Sequence, residues 1–414
     1  MMRESTMFGS VRRFVWLVAL FVIGAVISST PGVSANEAPR VVVLGEVQGA
    51  YESAVKTLLA VGLVDDRLRW SGGDAILIQT GDLIDDKIRV RDVMDLFMRL
   101  QEEAEAAGGQ VIVLLGNHEA LNILGMRGSV NYETYQTFAD ENSAARQAEA
   151  YEAHERWQND RAKALKSDPV EVSEQDRADW LAVHPPGYVE YAEAMGPDGP
   201  FGSWLRTLPV VVAIDGRLFI HGGISPALKG QDVDAINRKV AEEIELLSGY
   251  YSVMLEQGLI SQLATAEDMS RVIGNEIKFL NAQPSRKVDK KRAKLVAGLQ
   301  DFRHQWGKWY LVRQDGPTWF KGATVWDEAE NGAEMAEILD ALGASAMITG
   351  QSTGGSPKIE ARFGGRVLLA SVGMSDEPWV KRQPECLEIT EDDFNVVSPT
   401  GRQALLLTSV GAPE

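Results

Sequence analysis

A layered α/β fold follows from three features of this chain. Short β-branched runs recur along it, each ends in a polar or glycine-rich turn, and an amphipathic stretch joins two of them. The runs are RVVVLGE (40–46), DAILIQTGD (74–82), GQVIVLLGN (109–117), LPVVVAIDGRLFIHGG (208–223), SAMITG (345–350) and RFGGRVLLASVGM (362–374). Continuous apolar runs of this length suit strands covered on both faces. Between the second and third, KIRVRDVMDLFMRLQEEAEAAGG spaces its apolar residues for one helical face and closes on glycine, which predicts a helix with a glycine stop. Polar clusters fall repeatedly at the carboxyl ends of the strands, where open α/β sheets place their ligands.

Two long insertions interrupt this frame. Residues 128–205, rich in Ala, Glu, Arg, Tyr and Trp, read as largely helical up to HPPGYVEY. Residues 229–325 read as helical and charged, and their one basic run, SRKVDKKRAK, is expected to be a solvated helix face, with a partner site as the alternative. The tail beyond Glu391 is acidic and carries Ser and Pro before RQALLLTSV, which is expected to end the sheet or pack on its edge.

The chain has 414 residues, 45% of them apolar and 24% charged, which is ordinary for a globular protein with a sizeable core. Its formal charge of −18 argues against non-specific binding to a phosphate backbone, so no nucleic-acid partner is expected. Near the N-terminus, Arg12 and Arg13 precede FVWLVALFVIGAVI, and Val33 and Ala35 provide small residues for cleavage after Ala35. The apolar run is shorter than the roughly 20 residues a membrane span needs. The expectation is therefore a cleaved signal peptide over 1–35 and a periplasmic or secreted domain over 36–414, with no membrane partner after cleavage. An uncleaved anchor is the alternative, and the arginine pair also resembles a twin-arginine export signal. The single cysteine, Cys386, allows no intramolecular disulfide and reads as a packed small hydrophobe in ECLEIT.

Four clusters, GEVQG (45–49), GDLIDD (81–86), GNHE (116–119) and HGG (221–223), each follow a strand. Their order and spacing resemble the calcineurin-like metallophosphoesterases, in the Ser/Thr-protein-phosphatase branch, and within it the bacterial Shewanella-like phosphatases. QDGPTWFKG (314–322) and RFGGRVLLASVGMS (362–375) extend the resemblance over about residues 40–376. It implies a four-layer αββα sandwich with helical insertions, two divalent metal ions at the strand ends, and hydrolysis of phosphomonoesters, phosphoproteins included. By position, Asp82 matches the carboxylate bridging both ions, and Asn117 and His221 match ligands of the second. His118 matches the general acid, and Asp85 its orienting carboxylate. Arg127, just after GNHE, is a candidate for binding phosphate, in a GMRGS context unlike the family's. Taken alone, an Asp after a strand is commonly a turn former; the assembled set is what points to a site. His154, His184 and His304 fall in the insertions and receive no role.

Five positions depart from the pattern. Glu46 and Gln48 stand where the resemblance implies Asp and His, Gln351 where it implies His, Asp86 where it implies a phosphate-binding Arg, and Lys321 where Arg is usual. Glu46, Gln48 and Gln351 remain candidate metal ligands through oxygen, which hard cations accept and Zn or Fe ions favour less than imidazole. The cofactor expected is thus divalent cations, with one ion as an alternative to the family's two, and Mn, Mg, Ca, Fe and Zn all open. Asp86 repels phosphate where Arg would attract it, and Lys321 remains a candidate for binding phosphate but lacks the bidentate fork. Two functions stay open: a phosphoesterase with altered ligands acting on a phosphorylated substrate, and an inactive pseudophosphatase that binds or scaffolds a protein partner.

Overall fold

The computed structural model describes residues 39–85, 87–284, 287–351, 358–377, 383–391 and 393–407. The expected leader over 1–35 and Asp86 lie outside them. The N-terminal half opens with strand β1 (Val41–Leu44), helix α1 (Tyr51–Ala60), β2 (Ile76–Gln79), α2 (Val90–Ala107), β3 (Gln110–Val113) and α3 (Asn117–Ile123). Helix α2 buries Val90, Val93, Met94, Phe97, Leu100 and Ala104, the i, i+3, i+4, i+7 stripe of an amphipathic helix, and Gly108 ends it in the left-handed conformation at φ 84°.

The stretch 128–205 forms α4 (Tyr132–Gln136), α5 (Ser143–Leu165), α6 (Glu174–Val183), α7 (Tyr188–Ala194) and α8 (Pro200–Leu205). Two of its histidines serve packing. His184 stacks on Trp180 with ring centroids 4.0 Å apart, and His154 lies against Trp157 and Trp180. Strands β4 (Val211–Ile214) and β5 (Arg217–Ile220) follow, then α9 (Val233–Glu256), α10 (Ala266–Asn281), α11 (Lys290–Gln305), α12 (Gly322–Val325) and α13 (Glu328–Ala341). The chain closes with β6 (Ala346–Thr349), β7 (Glu360–Arg362), β8 (Val367–Leu369), β9 (Cys386–Thr390), β10 (Asp393–Ser398) and β11 (Gly401–Ala404).

Two sheets result, ordered β11-β10-β9-β1-β2-β3 and β4-β5-β6-β8-β7. Strands β1, β2 and β3 run parallel in the first, and β5, β6 and β8 in the second. Helices α1 and α2 pack on the first sheet, α9 and α12 on the second, which is the four-layer arrangement expected. The sheets approach closely at the carboxyl ends of their parallel strands. A Cβ on Gly45 would strike Ala370 of the other sheet, and one on Gly350 would strike Thr80.

Two apolar runs prove to be hairpins rather than single strands. Asp215 and Gly216 have φ of 49° and 72°, the paired left-handed residues that close a two-residue turn between β4 and β5. Gly364 and Gly365, at 65° and 87°, reverse the chain between β7 and β8. Strand β11 forms the edge of the first sheet, as expected of the tail. Cys386 is buried in β9, and burial pushes its thiol up to about 12, which leaves it inert as a nucleophile.

The basic run is not wholly solvated. Asp289 caps α11, and Arg292 pairs through Nε and Nη2 with Glu276 at 2.6 and 2.8 Å. Glu276 is fully buried on α10 and also binds Arg161 of α5, so one carboxylate ties the two insertions together. Glu276→Ala strands two arginines around a buried gap and is expected to cost about 3 kcal/mol in urea unfolding.

On α9, burial pushes Glu243 up to about 7 from 4.5, even though the Leu311 N–H donates to it and Lys239 stands 3.6 Å away. The folded state therefore holds this proton more tightly than the unfolded chain. The carboxyl's contribution is fully present below about pH 4.5 and is lost as pH rises through about 7. Glu243→Gln removes this loss, so its melting temperature relative to the parent should climb across that window in thermal scans.

Candidate metal centre

The site is assembled from loops that follow parallel strands. Glu46 and Gln48 follow β1, Asp82 and Asp85 follow β2, and Asn117 and His118 begin α3 just beyond β3. His221 follows β5, Gln351 follows β6 and Ser371 follows β8. The turn after β2 is tight, with Gly81 and Asp82 at φ of 89° and 55°. Glu119 holds it. Its carboxylate accepts the N–H groups of Asp82 (2.8 Å), Leu83 (2.8 Å), Ile84 (3.1 Å) and Gly116 (2.9 Å). The Gln79 side chain completes the turn by bonding both backbone groups of Gly81. A Cβ on Gly116 would collide with Asp82 Oδ1, so only glycine lets the two loops meet.

Within this frame Glu46, Asp82 and His221 are buried, and each offers a ligand atom within 4.8 Å of the others. The proton placement on His221 decides what the group can bind. Its Nδ1 lies 2.9 Å from the Thr80 carbonyl oxygen, which only accepts, so Nδ1 carries the hydrogen. Burial pushes the imidazole below its usual value, which keeps the ring neutral and leaves a lone pair on Nε2. That lone pair faces Asn117 Oδ1 at 2.8 Å and Asp82 Oδ2 at 3.3 Å. Burial and the neighbouring Glu46 raise the Asp82 carboxyl in the absence of a cation. A buried set of converging acceptors is the environment a divalent cation satisfies, and the donor set fits one such ion. Ser371 Oγ donates to Glu46 Oε2 at 3.0 Å and orients it.

His118 stands beside the cluster. Its Nδ1 lies 3.1 Å from Asp85 Oδ1 and 3.4 Å from Ser129 Oγ, and its Nε2 is 3.8 Å from Asp82 Oδ2. Burial acts against its charged form, but the Asp85 hydrogen bond and the charges of Asp82, Asp85 and Glu119 outweigh it and raise His118 to about 9. Asn122 Nδ2 donates to the His118 carbonyl at 3.0 Å, and Tyr191 donates to Asn122.

The remaining sequence candidates divide. Gln48 adopts φ 52° and its N–H bonds Asp82 O at 2.9 Å, but its amide oxygen accepts from Lys87 Nζ at 3.1 Å. Gln351 is buried with its N–H on His221 O at 2.7 Å, and its Oε1 has no hydrogen-bond partner among the described residues. Lys321 is exposed at the start of α12, and its ammonium makes no ion pair among the described residues. Arg127 turns to Gly125 O and the Tyr188 hydroxyl, at 3.2 and 3.5 Å.

A family comparison accounts for this geometry. The profile of the calcineurin-like phosphoesterases matches residues 39–257, from β1 to the end of α9. The chain belongs to the calcineurin-like phosphoesterase family. It is similar to Shewanella-like protein phosphatase 2 of Arabidopsis thaliana, 28% identical over 213 residues that cover 49% of this chain and 50% of that one. It is also similar to Shewanella-like protein phosphatase 1 of Plasmodium berghei, 23% identical over 206 residues, 50% of this chain and 45% of that one. The match thus spans about half the length of these relatives. Among solved structures, the cold-active protein-tyrosine phosphatase of a psychrophilic Shewanella species superposes with a TM-score of 0.50 at 19% identity, over 89% of this chain and 81% of that one, which shows the shared fold. As a member of a metal-dependent family, the chain carries a buried acidic and imidazole cluster able to hold a metal ion.

Sequence reasoning missed three contributors: Glu119 as the loop clamp, Ser371 on Glu46, and Lys87 on Gln48. Glu119 carried a signal, since Gly116 and Glu119 have the spacing of a capping box; the others had none beyond lying after strands or beside the motif. Glu119→Ala leaves four buried N–H donors without acceptors and is expected to cost at least about 3 kcal/mol in chemical unfolding. Divalent-ion binding should fall with it in calorimetry, because Asp82 loses its fixed position.

Proposed function

We propose that this phosphoesterase is an exported phosphomonoesterase, acting on phosphorylated small molecules or proteins, that works slowly with one divalent cation. Glu46, Asp82, Asn117 and His221 would hold the ion. The observation that carries this reading is the neutral His221 whose Nε2 lone pair meets two further acceptors in a buried cluster, directly beside the His118–Asp85 pair.

Bound there, a divalent cation draws negative charge from the phosphoryl oxygens and raises the reactivity of the phosphorus. The protein does the remaining work. Asp85 holds the Nδ1 side of His118, which directs Nε2 toward the cluster as the atom that gives its proton to the leaving oxygen. Asn122 fixes the His118 backbone. Slow turnover follows from missing positive charge: Asp86 stands where the family pattern supplies a guanidinium, and Lys321 has no fork. One ion rather than two follows from the substituted ligands, because the Gln48 oxygen is already engaged by Lys87.

The same substitutions favour a second reading, a pseudophosphatase that presents its helical insertions to a protein partner. Metal analysis of the purified chain and assays with p-nitrophenyl phosphate under Mn, Mg and Ca separate the two. The phosphoesterase reading expects about one ion per chain and turnover that falls at least about 100-fold in His118→Ala, with the ion lost in Asp82→Asn. No retained metal, together with silence under every cation, would establish the pseudophosphatase instead.

A further inference from the structure

At the other end of α3 from His118 lies a cavity of about 90 Å³. Its walls are mostly apolar, with Met195, Leu247 and Met269 among them, yet two guanidinium groups, Arg127 and Arg206, share it. Neither arginine has a carboxylate partner in an ion pair among the described residues. The Nε of each is fully buried and has no hydrogen-bond partner among the described residues. Their bonded nitrogens reach only neutral oxygens: Arg127 Nη1 the Gly125 carbonyl and the Tyr188 hydroxyl, Arg206 Nη1 the carbonyls of Met195 and Gly202 at 3.1 and 2.8 Å. Burial, then the charge of Arg127, holds Arg206 down to about 10, while Asp198 acts weakly in the other direction.

Two half-buried cations on the wall of one small, mostly apolar cavity thus have no carboxylate paired to them among the described residues. Buried guanidinium groups are ordinarily paired, and a charge-assisted bond to an anionic oxygen is the strongest partner available to them. The Nη2 of neither arginine bonds a described residue and, unlike the Nε, neither is sealed off, which leaves two N–H groups able to receive such oxygens.

We propose that this cavity is a second ligand site, which binds a small anion, a phosphoryl or carboxylate group, between Arg127 and Arg206. By the yardstick that a cavity of about 150 Å³ holds benzene, this one of about 90 Å³ holds about four heavy atoms, the size of acetate, with inorganic phosphate one atom larger. The site is separate from the metal centre. Asn122, on the cavity wall, lies one helical turn beyond His118, and the carboxylates around Asp82 repel anions when no cation is bound.

Titration calorimetry on protein stripped with EDTA tests it, because removing the cation takes away the anion's reason to bind at the catalytic cluster. Inorganic phosphate and acetate are each titrated, with sodium chloride at equal ionic strength as the control. Saturable binding of either anion is expected, with phosphate preferred if the natural ligand is a phosphoryl group and acetate preferred if it is a carboxylate. Arg206→Gln should weaken that binding by at least about tenfold, the loss of one charge-assisted bond. Ala264→Leu fills the cavity without removing either cation and should weaken binding as much, so it decides the matter if Arg206→Gln fails to fold. No saturable binding of either anion, an equal response to chloride, or unchanged binding in folded Ala264→Leu protein would overturn the assignment.

Discussion

Four backbone N–H groups from two loops converge on the two oxygens of Glu119, and the positive-φ turn at Gly81–Asp82 depends on that convergence. A non-glycine residue such as Asp82 enters the left-handed region only at a cost, and it stays there when its surroundings leave no alternative. Glu119 removes the alternatives by satisfying the amides of three consecutive residues at once. The carboxylate is fully buried, so any opening of the turn would leave donors without water as well as without protein. Gly116 meets the same constraint from the other side, because the Asp82 carboxylate occupies the space its side chain would need. The position of Asp82, and with it the distances to His118 and His221, follows from these contacts.

Charge balance is the second constraint on the centre. Glu46, Asp82 and the His221 lone pair are buried together, and the desolvation of that much negative charge is compensated only by a cation or by protons. The rise of Asp82 shows the proton alternative. The amides at positions 48 and 351 enter this balance unequally. Gln48 has found a partner in Lys87, so its loop carries an ammonium at the edge of the site. Gln351 keeps the backbone bond to His221 that its loop requires, while its amide oxygen goes without a partner. One amide is absorbed by the structure, and the other is tolerated by it.

The sequence disclosed the strand-end loops because each apolar run breaks abruptly into Gly, Asp, Asn or His, and such breaks are local in the chain. Helix α2 was legible for the same reason, with its stripe and its glycine stop both written over consecutive residues. The hairpins were not read, because Asp215–Gly216 is a two-residue signal inside a run whose apolar residues continue on both sides. Pairings across the chain were also invisible. Ser371 reaches Glu46 over 325 positions and Glu276 joins Arg161 over 115, distances at which only the folded chain brings partners together. Arg127 shows the limit of motif position. It follows GNHE by a few residues, but α3 turns it onto the wall of a cavity beyond Asn122.

Fold and chemistry are therefore held by different atoms. The loops keep their shape through Glu119, Gln79, the Thr80 carbonyl and Asn122, all of which bond protein groups and none of which needs a metal. The groups that would touch a cation hang from those loops as side chains. An exchange such as His for Gln alters affinity while the backbone bonds at the same position persist, as the N–H groups of Gln48 and Gln351 demonstrate. That division lets the loops keep their shape whatever side chains hang from them. Strand-end position reports the fold, and only the side chains, weighed for charge and partners, report what the centre can do.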